Sequence, residues 1–106
     1  MAKQKITRKV KKTVDEYINV LKKDRLPINR VIIFGSQAKH SARQDSDIDV
    51  CVISPKFKDD FKALHYLLMK SYEVEGMIEP HPFHPKEFVD DDPLVWEIKR
   101  TGVIVK

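Results

Sequence analysis

Two aspartates, Asp47 and Asp49, stand one residue apart in the stretch DIDVCVI (47–53). On a strand, residues i and i+2 share a face with Cα atoms about 6.5–7 Å apart. Asp47 and Asp49 then present two carboxylates together, while Ile48, Val50 and Val52 point to the opposite, apolar side. Like charges so close resist burial, and a bridging divalent cation relieves that cost. Carboxylate oxygens suit magnesium, which completes its shell with water and substrate phosphates. An isolated Asp-x-Asp more often lies in a solvated loop ahead of a strand that starts late. Upstream, Gly35-Ser36 follows the apolar run RVIIF (30–34). A strand–glycine–helix turn frees backbone N–H groups and a positive helix end to hold a phosphate. Ser36 can cap that helix and offer its hydroxyl as a further ligand, and a glycine lets phosphate approach the backbone. A Gly-Ser pair alone is usually just a turn.

The elements that must position these residues follow from periodicity. Ile6, Val10, Val14, Ile18 and Leu21, with Tyr17 beside them, form one apolar stripe of a basic amphipathic helix over about residues 7–24, ended by Pro27. RVIIF reads as a buried strand, and 47–53 as a second, broken by the Ser54-Pro55 turn. Phe57, Phe61, Leu64, Leu68 and Tyr72 predict another amphipathic helix, with Asp59 and Asp60 near its positive N-terminal end. After Gly76, MIEPHPF extends again. Pro80 and Pro82 make it an edge or terminating strand, because proline cannot donate to a ladder. A helix around Pro93–Thr101, capped by Gly102, precedes a short VIV. The order predicts an α/β (α+β) domain, a small mixed sheet of three to four strands flanked by helices, with residues 1–106 as a single domain.

Ten residues (Gln37–Ser46) separate Gly35-Ser36 from Asp47, giving G-S-x10-D-x-D with an apolar strand before each half. This pattern resembles the signature of the polymerase-β-like nucleotidyltransferase superfamily, and most of all its small MNT-type (minimal nucleotidyltransferase) domains. Ala38, the basic Lys39 and Arg43, and Ser46 just before the first aspartate are similar too. So is the element order over roughly Ile28–Val105. The resemblance implies a nucleotidyltransferase fold and an enzyme that holds ATP or another nucleoside triphosphate through Gly35, Ser36, Lys39, Arg43 and Ser46. It also implies two Mg2+ ions on three carboxylates, here Asp47, Asp49 and Glu79, moving a nucleotidyl group to an acceptor hydroxyl. Glu79 is the only acid in MIEPHPF, where the family usually has Asp. Gln37 and His40 depart from the Arg and Gly common at those positions. Family enzymes usually carry an added acceptor-binding domain. A domain of this length is then expected to borrow its acceptor site from a partner. In the family that partner is commonly a helical HEPN protein, whose toxin tyrosine receives AMP in a toxin–antitoxin pair. The departures leave room for a partner-binding antitoxin or scaffold with a vestigial site.

Composition narrows the alternatives. Across 106 residues, 42% are hydrophobic and 34% charged, which suits a soluble globular protein. No apolar run approaches a membrane span, and the basic start lacks the apolar core of a signal peptide, so a cytoplasmic location is expected. The single Cys51 excludes an internal disulfide. Net charge is +4, with +6 concentrated through Arg25. That is a solvated helix face or an electrostatic footprint for nucleic acid. The lack of aromatic stacking platforms among the N-terminal lysines argues against nucleic acid, and a homo-oligomer is left open. His65, His81 and His84 lack cysteine partners and a helical HxxxH pair, which argues against zinc. His81, two residues beyond Glu79, faces the same site if the strand continues. Trp96 is expected in the core or against a partner.

Overall fold

A computed structural model describes residues 6–35, 38 and 47–106. Helix α1 (Arg8–Lys23) starts where the Thr7 hydroxyl accepts from the Val10 N–H at 3.2 Å, and it ends before Pro27 with Lys22 and Lys23 in its last turn. Both ends suit the helix dipole and its unpaired backbone groups. Val10, Val14, Tyr17, Ile18 and Leu21 are buried, which is the face the stripe predicts. The Tyr17 hydroxyl donates to the carbonyl of Leu67 at 2.7 Å, so the one polar atom on this buried side chain is satisfied. Burial holds that phenol far above its ordinary pKa.

Strands β1 (Arg30–Phe34), β2 (Ile48–Ile53), β3 (Ile78–Phe83) and β4 (Val103–Ile104) make a mixed sheet in the order β3-β2-β1-β4. β1 pairs antiparallel with β2 and β4, whereas β2 and β3 run parallel. Parallel neighbours need a crossover, and α2 (Asp60–Ser71) supplies it. β3 is an edge strand, as its prolines predict. The Met77 carbonyl accepts from the Ile48 N–H of β2, and the Phe83 carbonyl from that of Ser54 just past its end. Alternation therefore turns the backbone of residues 80 and 82 away from the ladder, where a missing N–H costs nothing.

Alternation also sorts the two faces of the sheet. Val31, Ile33, Ile48, Val50, Val52 and Ile78 meet α1 and α2. Ile32, Phe34, Cys51 and Ile53 meet Ile98 of α3 (Pro93–Thr101), with Phe83 and Phe88 alongside. Burial on both sides pushes the Cys51 thiol up to about 12, so it behaves as a small apolar side chain. Asp92 caps α3 and Pro93 fills its first turn. Gly102 ends it in an extended conformation (φ −75°), and its need for glycine is one of space. A Cβ there would lie 2.5 Å from Ile32 Cγ2 and from the Ile98 carbonyl oxygen. Among the described residues, no helix is long and apolar enough to cross a membrane.

The expected face of α2 needs correction. Its buried residues are Ala63, Leu67 and Ser71, whereas Phe61 is 73% and Tyr72 77% exposed, and Leu64 and Leu68 lie at the surface. Asp59 caps the helix by accepting from the Lys62 N–H. Phe57, ahead of the cap, is buried as expected. The two stripes share one period, and the small Ala63 and Ser71 let α2 approach its neighbours closely. Trp96 is likewise largely exposed, with the Arg100 guanidinium 4.9 Å from its ring centre, while Val95 and Ile98 enter the core. The two faces of α2 can be distinguished by denaturant titration. Leu67→Ala should cost about 2–5 kcal/mol of stability, and Phe61→Ser should stay within about 0.5 kcal/mol of wild type.

Candidate active site

The antiparallel register of β1 and β2 sets Phe34 opposite Asp49, and the parallel register of β2 and β3 sets Glu79 on its other side. Asp49 therefore occupies the middle of three neighbouring strands, on the face that α3 only partly covers. Glu79 and His81, two residues apart, share that face, as the sequence allowed if the strand continued. One donor atom each from Asp49, Glu79 and His81 lie within 4.8 Å of one another. His81 Nε2 is 3.1 Å from Asp49 Oδ1, and both side chains are about one-quarter exposed. The His81 ring meets Phe34 edge-on at 4.9 Å, which fixes its plane.

Gly35 sits directly over this group. Its φ of +74° lies in the left-handed region, which side chains with a Cβ enter at a cost. A Cβ built there would lie 2.3 Å from Asp49 Oδ2. The glycine read from the sequence as room for a phosphate is thus also room for the aspartate.

Asp47 immediately precedes β2 and is exposed. It stands outside the three-residue cluster, though its charge reaches Glu79. The pKa of Glu79 is raised above the ordinary glutamate range. A side-chain hydrogen bond to Asp49 is the main cause, followed by burial and the Asp49 charge; the neighbouring His81 works the other way. A divalent cation between Glu79 and Asp49 would offset the repulsion of the two carboxylates, so the donor set fits one. Ser36, Gln37, Lys39, His40, Arg43 and Ser46, and the short helix expected after Ser36, lie outside the described residues. Periodicity alone left His81 conditional, because its place depends on β3 running parallel beside β2.

The chain's family follows from its similarity to known proteins. A model of the nucleotidyltransferase domain matches residues 14–102, from within α1 to the end of α3. The chain belongs to that family, and it is classed as a nucleotidyltransferase of the polymerase-β-like kind. A solved structure from Sulfolobus solfataricus, provisionally named a nucleotidyltransferase, shares its fold. Identity is 21%, the match covers 90% of this chain and 74% of that one, and the TM-score is 0.56. No curated protein sequence matches this chain.

Two outcomes test this geometry. Gly35→Ala should lose about 1–2 kcal/mol of stability in denaturant titration from its positive φ, and Asp49 must shift to admit the methyl group. The raised pKa of Glu79 means that the folded protein binds a proton more tightly than the unfolded chain. Metal-free wild type should therefore lose stability as pH rises through and above the ordinary glutamate range. Glu79→Gln should flatten that slope and raise the Tm at pH 8, measured in chelator.

Proposed function

We propose that this nucleotidyltransferase is metal-dependent and moves a nucleotidyl group, AMP from ATP, to an acceptor hydroxyl on a partner protein. The observation that carries the reading is the convergence of Asp49 and Glu79 beside Gly35, where a triphosphate on the Gly35-Ser36 turn would meet them. Asp47, Asp49 and Glu79 are the carboxylates that would hold divalent ions, with Mg2+ the family's usual choice. Such ions lower the pKa of an acceptor hydroxyl and neutralise charge on the phosphates.

The remaining roles belong to the chain itself. Transfer forms a bond from the acceptor oxygen to the α-phosphorus and breaks the bond to the departing pyrophosphate. The reaction demands positioning and charge neutralisation more than a covalent nucleophile. Gly35 lets substrate and Asp49 share a tight space. Glu79, whose pKa is raised above the ordinary glutamate range by its contact with Asp49, is suited to take the proton released by the acceptor hydroxyl. Ser36, Lys39, Arg43 and Ser46 complete the nucleotide contacts in this reading.

A protein acceptor agrees with the apolar surface of α2, where Phe61, Leu64, Leu68, Met69 and Tyr72 lie exposed on one helix. Surfaces of this kind suit protein partners. The partner we propose is a helical HEPN-type protein, with this chain as the antitoxin that modifies a toxin tyrosine.

Calorimetric titration of ATP, with and without Mg2+, tests the site. Wild type should bind ATP only with the ion present. Asp47→Asn/Asp49→Asn should abolish that binding while keeping the wild-type circular dichroism. A well-folded wild type that binds no Mg-ATP at millimolar concentration would favour the scaffold reading instead. Given binding, mass spectrometry of a neighbouring HEPN-type protein after incubation should show the gain of one AMP.

A further inference from the structure

We propose that His81 is itself a metal ligand, so that the site prefers first-row transition ions, with Mn2+ as the probe, over Mg2+. The inference rests on the metal-dependent reading above and goes beyond it in naming a nitrogen donor. His81 lies on β3 two residues from Glu79 and on the same face, with Nε2 turned toward Asp49. The gap between His81 Nε2 and Asp49 Oδ1 is 3.1 Å. Two donors held about 2.1 Å from one ion at right angles are separated by about 3.0 Å, so this pair already spans one edge of a coordination shell. Glu79, in the same 4.8 Å cluster, supplies a third donor. The edge contact with Phe34 keeps the ring from turning away, which suits a preorganised ligand.

The donor set decides the ion. Mg2+ takes oxygen ligands and gains little from imidazole, whereas first-row transition ions accept both nitrogen and carboxylate. Two carboxylates and one imidazole are a mixed set, unlike the all-carboxylate set read from the sequence. A competing role for His81 is to orient Asp49 through their hydrogen bond. The two roles differ in outcome: lost orientation weakens every ion alike, and a lost nitrogen ligand weakens only those that use nitrogen.

The experiment titrates wild type, His81→Ala and His81→Gln with Mn2+ alone and with Mg2+ alone. Electron spin-echo envelope modulation of the Mn2+-loaded wild type accompanies it. We expect directly coordinated 14N in the wild-type spectrum and tighter binding of Mn2+ than of Mg2+. Either variant should lose roughly tenfold or more in Mn2+ affinity, with Mg2+ affinity nearly unchanged. Absence of nitrogen coupling in wild type overturns the proposal without any variant, as does an equal loss for both ions. If Mg-ATP still binds in either of those cases, the metal-dependent reading stands and only the His81 assignment falls. If wild type binds neither ion at millimolar concentration, both fall together.

Discussion

The close approach of Asp49 to Gly35 is the constraint around which the rest is arranged. Antiparallel pairing brings the end of β1 level with Asp49, and the chain must leave β1 directly over that carboxylate. Only a residue without a Cβ, in a left-handed conformation, makes that exit without collision. The two oxygens of Asp49 are consequently divided, Oδ2 against the glycine backbone and Oδ1 against the His81 ring. A carboxylate gripped from both sides has little rotamer freedom left to lose when it binds a charged ligand, which is the usual advantage of preorganisation.

Strand alternation explains why chemistry and core coexist in so small a sheet. On β2 the even-numbered residues close the core beneath α1 and α2, and the odd-numbered ones face α3. Cys51 and Ile53 are covered there, whereas Asp49, nearer the start of the strand, keeps contact with solvent. The same strand thus anchors both hydrophobic clusters and presents a charge at its open end. Moving its register by one residue would turn the aspartate into the core beneath α1 and α2.

Legibility in the sequence followed the range of the interaction. The stripe of α1, the span of β1, the edge position of β3 and the start of α3 are local matters, and the spacing from Ile6 to Leu21, the β-branched run, Pro80 with Pro82, and Pro93 declared them. The glycine and Asp49 were readable from their spacing. The face of α2 was not, because Phe61-Leu64-Leu68 and Ala63-Leu67-Ser71 satisfy one period, and only the neighbours of α2 choose between them. Nor could the sequence show that β3 lies parallel to β2, since that pairing joins residues about thirty positions apart. The meeting of His81 with Asp49 depends on it.

The prolines of β3 have a consequence for how the molecule meets others. An outer strand normally offers a row of amide donors and acceptors to any extended chain that passes. Here the outward positions 80 and 82 carry carbonyls but no N–H, so a visiting strand finds acceptors without donors at two successive outward positions. β-Sheet growth past β3 is thereby disfavoured, both for a second copy and for an extended peptide.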